Sequence, residues 1–495
     1  MTSETELRAR LHRLAERAGR PSADGRVLAG RIARDSADRS RRRRKLLAGV
    51  ASVVLLGVAV PRLVGSGPEG AVPASGPVSA PARDVAGGAA ATGGDAALFE
   101  APTRGSLAGD QSFVDAVRAL PWTPVPPPAT PDGIPNHVPD PPLETRSVVF
   151  AGEVSGEHWA LVIGRVSTLA PDMAGLPSGA TAPRQPVAAW FAGPADAGPG
   201  GMVLRGGPGG FGPDWPLAIT DTRTGALVVV GFPGDVVEVS PRPEIAADGS
   251  TSREWREVET VDGVAITRVP PFARAYDMST SYRVFRAGRL VARDMPWSFT
   301  SDQTSPDVPV EYPRGRPSEL GEQAAQSAAE HVLAEVGLSP AQVDITAQWV
   351  GSVPAGEPGQ AAVVTVTLPS GAMVVEAQVL LPEQPGGGTM GGFCGQAVLP
   401  AGPPAERRVQ ALACEVVDYT TGAPMSTSLV VVGPPEVTLI RTYDEDRTFL
   451  TEHAAVDGVL VVPLPLGTET VEAVTAAGVT LGRVDVLGHT ADFGD

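Results

Sequence analysis

Leu46 to Val60 run for fifteen residues without a charge, directly after Arg41-Arg42-Arg43-Arg44-Lys45. The stretch continues to Gly65 with only Pro61 and Arg62 intruding. As a helix rising about 1.5 Å per residue, twenty residues from Leu46 to Gly65 reach roughly the 30 Å of a hydrocarbon core. Lys45 and Arg62 sit where their long stems can carry the charge out to the interface. The basic run before the span places residues 1–45 in the cytosol and the rest outside, because positive flanks stay inside. Two alternatives compete: a cleaved signal peptide and a buried core helix. A leader of 45 residues is far longer than a normal n-region, and the first small-residue cleavage pattern, Val78-Ser79-Ala80, lies well past the apolar run. A retained signal-anchor is therefore the expectation, giving a single-pass cell-membrane protein with an extracellular C-terminal part.

Charge follows the same boundary. Residues 1–45 hold 14 Arg or Lys against six acids, a net of +8, and the remaining 450 residues carry 25 Arg against 50 acids, a net of -25. Clustered cations are what nucleic-acid affinity rests on, so the acidic outer part speaks against a nucleic-acid partner. Lys45 is the only lysine. Its place beside the membrane excludes a P-loop, a Schiff-base lysine and a Ser-Lys site from everything beyond it. The six histidines are scattered without HExxH or paired metal spacing, and no GxSxG is present. No cofactor, metal ligand or catalytic residue is singled out. His158 beside Trp159, and His331 inside a predicted helix, read as structural histidines.

The chain divides on composition into a basic cytosolic segment (1–45), a transmembrane helix (46–65), an Ala/Gly/Pro-rich stalk (66–108) and two β-rich repeats (109–310 and 311–495). In the cytosolic segment, Leu7, Leu11, Leu14 and Ala18 have helical spacing, and Asp24 is a candidate N-cap before Val27, Leu28 and Ile32. Such helices either dock a cytosolic partner or lie along anionic headgroups, and the second reading is the more economical. Folded material is expected from near Asp110, an N-cap for a helix carrying Phe113, Val117 and Leu120. A Pro-rich arm follows, with ten prolines between Pro121 and Pro142. Ser147 to Val154 and His158 to Val166 flank Ser155-Gly156 and read as a hairpin, as do Leu227 to Val230 and Val236 to Val239 around Phe232-Pro233-Gly234. A helix returns at Ser318 to Val336 and stops at Gly337.

The two outer parts repeat a pattern. Asp221-Thr222-Arg223-Thr224-Gly225 leads to Val228-Val229-Val230-Gly231, Pro233 and Val261-Asp262-Gly263-Val264. Asp418-Tyr419-Thr420-Thr421-Gly422 leads to Val430-Val431-Val432-Gly433, Pro434 and Val456-Asp457-Gly458-Val459, at offsets of 197, 202 and 195 residues. Conserved order across such offsets points to duplication. The expected fold is mainly β (α+β), with two tandem related repeats, each a helix on or beside an antiparallel sheet or β-sandwich. Tyr443 to Arg447, the densest acidic cluster, reads as a solvated hairpin turn rather than a calcium loop. Gly386 to Gly395 reads as a mobile loop. Six of the seven tryptophans precede residue 300, and they either build core or offer an aromatic surface to a glycan or peptide.

The layout of basic segment, Arg run, apolar span and Ala/Gly/Pro stalk, with strand phrases Val149-Phe150-Ala151-Gly152-Glu153 and Leu161-Val162-Ile163, resembles membrane-anchored surface proteins of high-GC Gram-positive bacteria. Some of these are linked to extracytoplasmic-function sigma factors. The resemblance implies an anchored ectodomain and carries no enzymatic activity with it. The zinc-binding anti-sigma pattern is absent, since no Cys precedes the span and only His12 is there. The function expected is extracytoplasmic binding or interaction, with an unknown protein or glycan as partner. The alternatives are transmembrane signalling, with residues 1–45 docking a regulator such as a sigma factor, and an extracytoplasmic hydrolase. Finally, Cys394 and Cys414, the only cysteines, both fall outside the membrane on this topology, where thiols oxidise, and are expected to form one disulfide.

Overall fold

The computed structural model describes residues 94–122, 140–166, 185–212, 215–272, 277–299, 307–355, 357–382, 391–418, 423–487 and 493. The cytosolic segment, the span Leu46 to Gly65, the start of the stalk and the Pro-rich arm from 123 to 139 lie outside these residues. Among the described residues no helix is long and apolar enough to cross a membrane. The chain is mainly β.

Two short helices, α1 (Gly94–Glu100) and α2 (Gln111–Arg118), open the first module. Asp110 caps α2 by accepting from Phe113 N–H at 3.0 Å, as its position in the sequence predicts. Gly94–Glu100 is helical, inside the stretch 66–108 expected to be stalk. Leu98 is buried, and Arg104 bridges to Phe150 in strand pairing. Single anchors of this kind leave no periodic trace, which is why an Ala/Gly-rich stretch reads as linker.

The first sheet contains β1 (Ser147–Val154), β2 (Glu157–Val166), β3 (Gln185–Pro194) and β4 (Val203–Gly210), paired in that order and antiparallel throughout. Both of its faces are buried. One carries Val148, Ala160, Val162 and Phe191 against Phe113, Val114 and Val117 of α2. The other carries Trp159, Leu161, Ile163 and Trp190 against a second sheet. That second sheet contains β5 (Leu217–Asp221), β6 (Ala226–Val230), β11 (Thr260–Val261), β12 (Val264–Arg268) and β15 (Trp297–Phe299), in the order β11-β12-β6-β5-β15. A third sheet, β10-β7-β13-β14, closes the stack with β7 (Val236–Ser240), β10 (Arg256–Val258), β13 (Ser281–Arg286) and β14 (Arg289–Asp294). Between β7 and β10 a hairpin projects, β8 (Pro243–Ile245) with β9 (Thr251–Arg253). The module is thus one helical layer and three sheet layers.

Here the expected hairpin around Phe232-Pro233-Gly234 is corrected. β6 pairs with β5 and β12, whereas β7 pairs with β10 and β13, so the turn carries the chain from one sheet to the next. Leu227 to Val230 are apolar on both faces because β6 is in the middle layer, packed on β1–β3 through Val228 and Val230 and on the third sheet through Leu227 and Val229.

The second module starts with α3 (Glu319–Val336), capped by Ser318 and ended by Gly337 in the left-handed region, as its sequence predicts. Four strands follow in one antiparallel sheet: β16 (Asp344–Ala355), β17 (Glu357–Thr367), β18 (Met373–Leu380) and β19 (Gly391–Leu399). β19 includes the second half of the segment expected to be a mobile loop, since Gly391 to Gly395 pair with β18, while 386–390 lie outside the described residues. The absence of side chains on those glycines hides the strand from propensity but not from pairing. Then come β20 (Gln410–Asp418), β21 (Ala423–Val432), β22 (Val437–Tyr443), β23 (Phe449–Ala454), β24 (Val459–Pro463), β25 (Thr470–Thr475) and β26 (Thr480–Asp485), in sheets β20-β21-β24 and β23-β22-β25-β26. Tyr443 to Arg447 lead into the β22–β23 hairpin turn. Layer order is again helix, sheet, sheet, sheet.

Both modules hold the same latch. Val149 is the extra residue of a bulge in β1, and Gln348 of a bulge in β16. Arg104 donates through Nε to Val149 O (3.4 Å) and through Nη1 to Gly231 O (2.7 Å) and Asp262 O (3.1 Å). Arg314 donates through Nε to Gln348 O (2.9 Å), through Nη2 to Gly433 O (2.7 Å) and through Nη1 to Asp457 O. Each guanidinium ties the first sheet to the Asp-Gly turn of the second. Asp262 and Asp457 both have φ 51°, and Gly263 and Gly458 have φ 78° and 75°. A Cβ on either glycine would stand 2.3 Å from a carbonyl oxygen, Phe232 O or Pro434 O, so no other residue fits.

The modules meet at the β8–β9 hairpin. Ile245 packs into the core under α3, Ala401 N–H donates to Ala247 O at 2.6 Å, and Met278 N–H donates to Ala334 O at 3.1 Å.

Candidate functional site

Two places gather side chains with chemistry. The first lies beneath α3. His331 and Glu335, one turn apart on the helix, face Glu376 of β18 and Gln396, its partner across β19. His331 Nδ1 and Glu376 Oε2 share a hydrogen bond of 2.8 Å, and His331 Nδ1 is 3.8 Å from Glu335 Oε2. Gln396 Nε2 donates to both carboxylates, Gln378 Nε2 donates to Glu376 Oε1 at 2.6 Å, and Ser327 Oγ donates to Gln378 Oε1 at 2.7 Å.

Glu376 is fully buried. Burial raises its carboxyl above the ordinary value despite the His331 hydrogen bond, and burial pushes Glu335 up to about 7. For His331, burial works against the imidazolium, but the hydrogen bond to Glu376 and the two nearby carboxylates outweigh it and raise the pKa. Three ligand-type atoms lie within 4.8 Å of one another. His331 shares a hydrogen bond with Glu376, and Gln396 donates to both carboxylates, so the three groups share protons within one network. His331 therefore has a definite structural partner set. The i,i+4 pair His331–Glu335 was readable from the helix, and an acid inside the apolar strand Met373–Leu380 was a further signal; their meeting was not.

The second place is a cleft of about 230 Å³ at the edge of the first module, lined by Phe211, Trp215, Pro216, Tyr282, Asp294, Met295 and Trp297 among others. The tryptophans separate by environment. Trp122, Trp159 and Trp190 are core, whereas Trp215 is 40% exposed and Trp297 is half-buried. Trp215 Nε1 donates to Asp294 Oδ2 at 3.2 Å, and Met295 N–H donates to Asp294 Oδ1 at 2.9 Å. Tyr282 Oη donates to Pro216 O at 3.2 Å, and burial, followed by the Asp294 charge, raises its pKa. A carboxylate is thus fixed in a cleft lined by Phe211, Trp215, Tyr282 and Trp297, an arrangement suited to binding.

The remaining site residues are Cys394 in β19 and Cys414 in β20. They lie in one core cluster with Leu412, Val416 and Val430, bonded to each other in the structure. Both are buried, so labelling must be done on unfolded chain. Non-reduced, unfolded protein is expected to take up no thiol reagent, and reduced protein two equivalents; two equivalents without reductant would remove the bridge from the native molecule.

No family model matches this sequence, and no curated protein matches it. Among solved structures the chain is similar to the plexin A4 full extracellular region, at 10% identity and a TM-score of 0.12, with 69% of this chain and 45% of that one covered. The chain thus spans less than half the length of that structure, and a likeness at this level carries no argument.

Proposed function

We propose that this chain is a membrane-anchored binding protein whose β-rich modules work on the extracytoplasmic side, recognising a ligand or partner at the first module. The aromatic cleft carries this reading. It brings partly exposed indoles and a fixed carboxylate to one concave place, as ligand sites do, while under α3 the Glu376 carboxylate is already engaged by His331, Gln378 and Gln396. Anchoring rests on Leu46 to Gly65 and the +8 against -25 charge split.

The two modules descend, on this reading, from one duplicated unit. Support comes from the matching sheet orders β10-β7-β13-β14 and β23-β22-β25-β26, from the bulges at Val149 and Gln348, and from the paired latches of Arg104 and Arg314. On this reading binding specificity resides in the cleft of the first copy.

Topology is testable directly. Protease added to intact protoplasts is expected to degrade both modules and leave only a fragment of the N-terminal segment. Protection of the C-terminal module from protease would place it in the cytosol and end the extracytoplasmic reading.

A further inference from the structure

We propose that the cleft takes an organic cation, an alkylated ammonium group, held against the rings of Trp215 and Trp297 and by the Asp294 carboxylate. This rests on the binding reading above and names the class of ligand.

The cleft's construction begins with glycine. Trp297 lies against β4 where Gly206, Gly207 and Gly209 stand. A Cβ on Gly209 would come within 2.8 Å of Trp297 Cζ2, and one on Gly206 or Gly207 within 3.2 Å of the same ring. The bare strand lets the indole settle on its backbone and fixes the ring in place. Trp215 is oriented by its bond to Asp294, and that bond also aims the carboxylate. Tyr282, buried behind the exposed indoles, turns its hydroxyl to Pro216 O, so its proton is not available to the site. Asp294 accepts from Trp215 and Met295. An ionised carboxylate has about four acceptor directions, so two remain for a ligand.

Charge decides the ligand class. Aromatic faces are the negative part of the ring quadrupole and draw cations, most strongly at tryptophan. A carboxylate adds full negative charge to the same place, and none of the eleven described lining residues is basic. An anionic ligand would meet repulsion from the carboxylate and from the ring faces. Size limits the rest: about 230 Å³ is below the roughly 300–1,000 Å³ of sites for drug-sized molecules, so a head group enters and its substituents stay outside. A quaternary ammonium matches on all counts, being cationic, apolar at its surface and without need of many hydrogen-bond partners.

The test uses detergent-solubilised full chain and tryptophan fluorescence, titrated with choline, with 3,3-dimethylbutan-1-ol as its uncharged isostere, and with N-acetylglucosamine. Choline is expected to give a saturable change and the alcohol to bind at least about tenfold more weakly, the difference being the charge. Asp294→Asn is expected to weaken choline about tenfold and leave the alcohol unchanged. The wild-type comparison of choline with the alcohol stands even if the variant misfolds. Equal affinity for choline and alcohol would overturn the cation and leave a merely apolar cleft. Saturation by N-acetylglucosamine without choline would also overturn it while the binding reading survives. Saturation by none of the three would overturn the cation and take from the binding reading the cleft that carries it.

Discussion

Arg104→Ala is expected to destabilise the first module by roughly 3–5 kcal/mol, among the largest effects any single substitution in it should have. Arg104 is 6% exposed, and its guanidinium donates to carbonyls on three separate segments, at Val149, Gly231 and Asp262. Burial lowers its pKa, with Asp262 and Asp235 opposing that effect. Alanine would leave Gly231 O without the guanidinium donor inside the protein, while Val149 O would keep the backbone N–H of residue 104 at 3.1 Å, and each charge-assisted bond of this kind contributes about 1.5–3 kcal/mol. Some of that is offset because the buried charge no longer has to be desolvated. Arg104→Lys should recover only part, since an ammonium cannot span three acceptors as a planar fork does. Urea unfolding followed by tryptophan fluorescence, which reports Trp159 and Trp190 in this module's core, measures the shift. A loss below about 1 kcal/mol would mean the latch is decoration. The equivalent Arg314, with 22% of its side chain exposed, should cost less on removal, because water can replace part of what it supplies.

A second large effect concerns pH. Glu335 has a folded pKa of about 7 against an ordinary 4.5, because it is buried. Between those values the native state holds a proton that the unfolded chain has released, so stability falls as pH rises from about 4.5 to 7 and stays lower above that. His331 works in the same direction. Its raised pKa contributes stability that is complete below the unfolded value of 6.5 and is lost as pH climbs through the folded one. Glu335→Gln keeps an acceptor for Gln396 and removes the ionisation. At pH 8 it is expected to stabilise the second module by about 2–3 kcal/mol relative to wild type, with little difference at pH 4. Melting curves of both proteins from pH 4 to 8 read this out. Parallel curves would show that Glu335 ionises freely in the fold.

Much of the local structure was legible. The bounds of α3 follow from Ser318 and Gly337, the β1–β2 hairpin from the apolar runs flanking Ser155-Gly156, and the β22–β23 turn from its acids. The stacking of three sheets was not, because a run such as Leu227 to Val230, apolar on both faces, says that a strand is central without saying which strands flank it. The Phe232-Pro233-Gly234 turn was misassigned for that reason. The cleft was hidden more deeply. Its residues come from three stretches between Phe211 and Trp297, and a tryptophan that is core, such as Trp190, differs from one that lines a cleft, such as Trp215, only in what tertiary packing places over it. The network under α3 was half visible, with His331 and Glu335 one turn apart and Glu376 supplied by a strand 45 residues after the histidine.

The hairpin β8–β9 belongs to the first module alone, and the long helix it leans on belongs to the second; α2, the helix that covers the corresponding sheet of the first module, has eight residues where α3 has eighteen. If each module carried both the projection and its seat, every chain would present one unused projection and one unused seat. Such a head-to-tail contact propagates from molecule to molecule without closing. With the projection on one module and its seat on the other, the contact is satisfied once inside the chain, so this joint by itself does not propagate from molecule to molecule.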